Sequence, residues 1–281
     1  MQGKLFHSFC VIMEDMVYYI DSLCDRMGVC QMLVLHKKKH GIDFYTVWFA
    51  KEPFKKSGII AYREYMGEQP LNSKECHTLI TDLTETEEEI KQHFSKSCKY
   101  KVNRAAREDV SIEILKDNEI TDDIIDSFAD FFAEFWESKG SSLEDKQKLK
   151  QELKAYRDVN ALSIGWACVN GVKAVYHTHV KDENIARLLH SASLYRLQGD
   201  EEGNTKNLIG MANRLLHFEE MKYFKAEGLK TYDWGGAGRG EDVIHITEFK
   251  ESFGGTPVTY CNFKQASGMK AKLFKVLAKL V

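Results

Sequence analysis

A chain of 281 residues, 43% of them hydrophobic, can bury one large core or two small ones, since single cores stop growing near ~250–300 residues. With 29% charged residues, this composition excludes a disordered chain, in which burial fails to offset chain entropy. A formal charge of −3 excludes binding of duplex nucleic acid through the overall field, because phosphate neutralisation dominates that affinity.

In chain order, the first hundred residues read as strand-rich. Asp15–Cys30 has the pattern of a helix closed by Gly28. Gln31–His36 is a short apolar run, Lys37–Gly41 a lysine-bearing turn, and Ile42–Ala50 is rich in β-branched and aromatic residues. Gly58–Tyr62 and His77–Thr81 are further short strands. A helix signal begins at Thr84, where a cap and the acids Glu85 and Glu87–Glu89 suit the positive end of a helix dipole. It runs to Arg107 with a break near Ser97. Its second half carries Lys96, Lys99, Lys101, Arg104 and Arg107, which is either the charge placement a helix dipole favours or an anion-binding face.

From Val110 the order is regular. Val110–Leu115 is a strand, and Thr121 caps a helix with Ile124, Phe128, Phe131, Phe132 and Phe135 at the helical period. Leu143–Tyr156 is a second helix. Leu162–Val169, Val172–Val180 and Ala186–Leu194 are strands, the first two joined by an Asn170-Gly171 hairpin turn. Thr205 caps a long helix ending at Gly228, with Leu208, Met211, Leu215, Phe218 and Met221 on one face. Lys230–Trp234 is a strand, Gly235–Gly240 a glycine-rich loop, Ile244–Phe253 a short helix and Val258–Phe263 a last strand. Hairpins followed by a helical crossover predict an α/β chain with a mixed sheet and helices on both faces.

The cysteines number seven and no two have the gap of a zinc knuckle or redox motif, so they read as reduced thiols of a cytoplasmic protein. No signal peptide and no apolar run of about 20 residues is visible. His177 and His179 alternate on one strand, but no third ligand is placed by spacing, so no metal is expected.

The strings Tyr232-Asp233-Trp234-Gly235-Gly236 and Phe249-Lys250-Glu251-Ser252-Phe253-Gly254-Gly255 resemble the closing motif of the FemAB-like family. These are peptidoglycan interpeptide-bridge aminoacyltransferases and their acetyltransferase relatives, with a GNAT-like fold. Phe94–Val110, Leu188–Ser193 and Leu215–Gly228 resemble upstream segments of the same family, so the resemblance spans roughly Thr81 to Phe263. It implies three regions: a truncated or accessory N-terminal region over 1–109, a GNAT-like acyltransferase domain over 110–265, and a basic amphipathic helix over 266–281. It further implies transfer of an acyl or aminoacyl group to an amine, on a cell-envelope (peptidoglycan or polysaccharide) precursor.

On that resemblance Lys250, beside Phe249, is the first candidate for steadying the tetrahedral oxyanion of such a transfer. Asp233 and Tyr232 end a strand, where Asp233 either serves the site or holds the N–H groups of the following loop. Gly235, Gly236 and Arg239 offer backbone N–H groups and charge to a phosphate. His190 and Glu248 are candidate bases for the attacking amine, and Lys101 and Arg104 candidate phosphate contacts.

Acyl-CoA enzymes of this fold carry an Arg/Gln-x-x-Gly-x-Gly/Ala loop before the long helix. Here Arg196 and Gly199 fit, but Glu201 replaces the second small residue, and the acids Asp200–Glu202 would repel a pyrophosphate. No permanently bound cofactor is expected, and the donor is an aminoacyl-tRNA or, held another way, an acyl-CoA. Alternatives are an acyl-CoA-dependent N-acetyltransferase of a small molecule or sugar amine, and an inactive GNAT-like binding module. In Met269–Val281, Met269, Leu273, Val276, Leu277 and Leu280 face Lys272, Lys275 and Lys279, the pattern either of a helix lying on the inner face of an anionic membrane or of a terminal helix docked on its own domain with its lysines in water.

Overall fold

The computed structural model describes residues 18–20, 32–196, 203–238 and 244–277. One sheet of eleven strands organises it. The strands are β1 (Tyr18–Ile20), β2 (Leu33–Lys39), β3 (Ile42–Trp48), β4 (Gly58–Tyr65), β5 (Lys74–Asp82), β6 (Val110–Lys116), β7 (Leu162–Val169), β8 (Val172–Lys181), β9 (Ile185–Ser193), β10 (Thr231–Asp233) and β11 (Thr256–Ser267). They lie in the order β1-β2-β3-β4-β11-β5-β10-β9-β8-β7-β6. Only β3–β4 and β9–β10 are parallel, so the sheet is mixed as expected.

The helices are α1 (Glu87–Gln92), α2 (Lys96–Ala105), α3 (Asp122–Glu137), α4 (Lys146–Asp158), α5 (Gly203–Ala226), α6 (Ile244–Glu251) and α7 (Met269–Leu277). Local chemistry sets their ends. Thr86 and Glu89 close a capping box on α1, and Ser95 restarts the chain as α2 by accepting from Cys98 N–H. The Thr84 hydroxyl instead donates to Asp82, so the helix begins later than its first threonine. Asn170 and Gly171, at φ 51° and 77°, form the two-residue turn their sequence demands.

Both sheet faces are covered. On one, α3 and α4 bury Ile125, Phe128, Phe132 and Leu153 against Ile164, Trp166 and Tyr176. On the other, α1, α2 and α5, with Phe94 between the first two, bury Ile90, Val102, Leu215 and Phe224 against Leu79, Tyr232 and Trp234. Among the described residues no helix is long and apolar enough to cross a membrane.

Two expectations need correction. The helix foreseen over Asp15–Cys30 is interrupted by β1, and the rest of that span lies outside the described residues. The turn foreseen from Lys37 begins only at His40, because Lys37–Lys39 pair with Ile42–Phe44. β11 returns from the second half and pairs antiparallel with β4 on one side and β5 on the other, so the strands of both halves share one sheet.

Candidate active site

The parallel strands β9 and β10 touch over three residues only, from Thr231↔Ile185 to Asp233↔Arg187. β9 runs on to Ser193, paired with β8. The chain leaving β10 turns the other way, with Trp234 N–H donating to Leu79 O and Ala237 N–H to His77 O. The sheet therefore splits beside Leu188–Ser193, and a cavity of about 590 Å³ occupies the split. Gly235 makes the departure possible: its φ is 63°, and a Cβ there would lie 2.5 Å from the Leu188 carbonyl oxygen.

Lys250, on the buried side of α6, closes this cavity from below. Its Nζ donates to Gly235 O (2.9 Å) and Gly236 O (2.8 Å). An ammonium has three protons, so one remains for an oxygen in the cavity. Burial, then the charge of Arg187, lowers its pKa to about 8, with Asp233 opposing. Phe249, next to it, lines the same cavity.

Behind Lys250 lies a buried charged network. Asp233 Oδ1 accepts from Thr78 Oγ1 (2.6 Å) and Gly235 N–H (2.8 Å). Arg187, which lines the cavity, donates to Glu64 and, at 2.9 Å, to Leu188 O, with its guanidinium 5.3 Å from the Trp48 ring centre. Burial, then Asp233, pushes Glu64 up to about 7 against the pull of Arg187, and burial likewise raises Asp233. Glu64 Oε2 and Asp233 Oδ2 have no hydrogen-bond partner among the described residues.

On the α5 side stands a second buried network. Asn213, His217 and Glu220 occupy one face of the helix at i, i+4 and i+7. His177 Nδ1 meets both Glu220 oxygens (2.9 and 3.0 Å), and its Nε2 lies 2.9 Å from the Asn213 carboxamide. The Tyr232 hydroxyl donates to Glu220 Oε2 (3.0 Å) and lies 2.8 Å from His217 Nδ1 and 3.1 Å from His179 Nε2. Gly165 on β7 makes room, since a Cβ there would come within 2.8 Å of Glu220 Oε1. His177, His217 and Glu220 present ligand atoms within 4.8 Å of one another, but a cation among them would have to move the Tyr232 hydroxyl aside.

A second cavity of about 490 Å³ adjoins the first and shares Ser193, Tyr195, Asn213 and Phe249 with it. Lys101 and Arg104 of α2 and Arg214 of α5 line it. Arg214 stacks over Phe249 at 4.4 Å, and its buried Nε–H has no acceptor among the described residues. Lys139, Arg187, Arg196 and Lys250 line the inner cavity, and no Asp or Glu among the described residues lines either one.

The structure thus brings together Lys250, Phe249, Gly235 and Gly236, and puts Lys101 and Arg104 at the outer end of the same groove. Asp233 holds the loop from beneath, and Tyr232 lies one layer behind the cavity wall. Two expected bases fall elsewhere. Strand alternation turns Leu189, Ser191 and Ser193 to the cavity, and His190 packs on Phe128 and Phe132 with Nδ1 2.7 Å from Thr178 Oγ1. Burial, then Arg187, lowers its pKa to about 4. Glu248 lies on the exposed side of α6 beside His245, because Thr247 and Lys250 take the buried side. Arg239 and the Asp200–Glu202 loop lie outside the described residues. Sequence reasoning missed Glu64, Arg187, His217 and Glu220. The i, i+4, i+7 spacing on α5 was the available signal for two of them.

No protein-family model matches this sequence, and no curated protein matches it. Solved structures do match in fold. FemX superposes with a TM-score of 0.57 at 12% identity, over 90% of this chain and 88% of that one. The C-terminal domain of a putative lysylphosphatidylglycerol synthetase from Agrobacterium fabrum gives 0.49 at 12% identity, over 89% and 86%. L-PGS from Bacillus licheniformis gives 0.47 at 11% identity, over 94% and 88%. The chain therefore has a FemX-like mixed α/β fold that extends through its N-terminal strands.

Proposed function

We propose that this protein transfers an acyl or aminoacyl group from a phosphate-bearing donor to an amine, in the cleft between β9 and β10. The observation that carries this reading is the charge of the groove. In a chain of net charge −3, its described lining holds Lys and Arg side chains from α2, α5, α6 and β9 and Lys139 just past α3, and no carboxylate. Such a surface suits a polyanion at the outer end and a developing oxyanion at the inner one. The resemblance at Tyr232–Gly236 and Phe249–Gly255 supports an aminoacyl-tRNA as donor and a cell-envelope amine as acceptor, with an acyl-CoA as the second donor class. Thermal-shift and calorimetric titrations with aminoacyl-tRNA and acetyl-CoA test it. Stabilisation by aminoacyl-tRNA that falls steeply with salt is the expected result. A micromolar dissociation constant for acetyl-CoA alone would make this an acyl-CoA enzyme, and binding of neither donor would defeat the reading.

The acceptor side of this reading includes an anionic membrane surface. In α7, Met269 and Leu273 lie one turn apart and are 89% and 62% exposed, while Ala271 is buried against the sheet. Lys270 and Lys272 are exposed beside them, and the start of α7 adjoins Gly41 and Ser57–Gly58, next to the exposed Lys38 and Lys55. Apolar side chains facing water beside exposed lysines match an acidic lipid surface, at about 1 kcal/mol per lysine near it. The chain is expected to co-sediment with phosphatidylglycerol vesicles at low salt and to be released by high salt. Leu273→Glu with Met269→Glu should abolish this, and equal partitioning of variant and native chain would remove the membrane from the proposal.

A further inference from the structure

His217 is the one imidazole among the described residues that both lines the cavity and belongs to the buried network behind it. Its ring lies 4.1 Å from that of His177 and is boxed by Trp234, Phe249 and Phe253 at 4.7–5.7 Å, so it has little freedom to turn.

Counting protons around Tyr232 fixes the state of that ring. A phenol has one proton and two lone pairs. The proton goes to the Glu220 carboxylate, 3.0 Å away. Both nitrogens that approach the phenol oxygen, His217 Nδ1 at 2.8 Å and His179 Nε2 at 3.1 Å, must then donate to it. His217 therefore carries its proton on Nδ1 and a lone pair on Nε2. With Nδ1 bound to Tyr232, Nε2 is the nitrogen left for a molecule in the cavity. Burial, together with His177, His179, Lys250 and Arg214, keeps the ring's pKa well below the usual histidine value, so it rests neutral with the Nε2 lone pair unprotonated.

We propose that His217 Nε2 is the base that deprotonates the attacking amine, and that Tyr232 and Glu220 hold it in the accepting state and share the charge it gains. The proposal rests on the transfer reading above. The amine lone pair forms the new N–C bond to the donor's carbonyl carbon, and the C=O π pair moves onto oxygen, towards Lys250. The amine N–H bond breaks and its proton goes to His217 Nε2. The Nδ1 proton shifts onto Tyr232 and the phenol proton onto Glu220 Oε2, leaving an imidazole–carboxylic acid pair in place of an imidazolium in an apolar box. When the intermediate collapses, the C–O or C–S bond to the donor breaks, the shifts reverse, and the proton from Nε2 goes to the departing oxygen or sulfur. Atoms and charge balance without any further reactant. His217 would touch the substrate; Tyr232 and Glu220 act through it, as positioning residues.

The test uses the full chain, aminoacyl-tRNA and acetyl-CoA donors, and a lysine-bearing peptide as the amine. His217→Gln, checked by thermal midpoint for an intact fold, is expected to lower kcat by about 10²-fold or more with the donor's KM little changed. His217→Ala should regain part of the rate when free imidazole is added. Tyr232→Phe should lower kcat more than it changes KM, which a purely structural role would not do. Nitrogen-15 spectra of the labelled imidazoles should show His217 neutral and protonated on Nδ1 at pH 7. A native rate in His217→Gln, or a proton on Nε2, would overturn the relay while leaving the transferase reading standing. No transfer by the native chain with either donor would overturn both.

Discussion

Replacing Lys250 with alanine is expected to lower the rate of acyl transfer by about 10²-fold, the scale on which one oxyanion donor acts. The reason is positional. Two of its three protons tie down the carbonyls of Gly235 and Gly236, which leaves the third for an oxygen in the cavity that the lysine lines. Cation and loop are thus one unit: the lysine shapes the glycine turn, and the turn holds the lysine at a fixed place. The sign of the pH effect follows from a pKa of about 8. The useful form is the protonated one, so activity should fall as pH rises through that value, and Lys250→Arg, where it folds, should carry activity to higher pH. Rates measured from pH 6 to 10 on the native chain and both variants check this. An unchanged rate in a folded Lys250→Ala protein would show that the lysine only supports the loop.

Removing Arg187 should cost the most stability. Its guanidinium faces the carboxylates of Glu64 and Asp233, which are 1% and 0% exposed. Breaking a buried ion pair by deleting one partner typically costs about 3–5 kcal/mol, because the remaining charge is neither solvated nor paired. Arg187→Met keeps most of the packing on Trp48 and removes the charge, so the loss is electrostatic. Urea unfolding at pH 7, with the native chain as reference, measures it. A loss below about 1 kcal/mol would mean that Glu64, already pushed up to about 7, takes a proton and neutralises the pair on its own.

Much of the fold was legible because its signals are local. The Thr86–Glu89 capping box, the Thr121 cap, the Asn170-Gly171 turn and the helical phenylalanines each decide their own neighbourhood. The part of the site carried by the two short strings was legible too, since Gly235, Gly236, Phe249 and Lys250 are close in sequence and close in space. What could not be read is pairing at long range. Glu64 and Arg187 stand on strands 123 residues apart, and nothing in either segment names the other. His190 was misjudged because β9 carries one extra residue, Leu189, opposite Thr178 and His179 of β8, which shifts the register beside it, and bulges leave little mark in a sequence. His217 and Glu220 were hidden by their company: α5 has enough apolar residues to read as a plain core helix, and the polar file among them looked incidental.

The placement of β11 between β4 and β5 has a consequence for how the molecule comes into being. During synthesis β5 is complete at Asp82, yet both of its sheet neighbours, β11 and β10, are still unmade, and β4 lacks one of its two. The strand that joins them starts at Thr256, about 170 residues later. At 5–20 residues per second the wait is roughly 10–35 s. Through that interval the early strands carry open backbone edges, which are templates for pairing with other chains. The N-terminal strands therefore cannot mature in the order in which they leave the ribosome: the first-made part of the sheet is closed by one of the last.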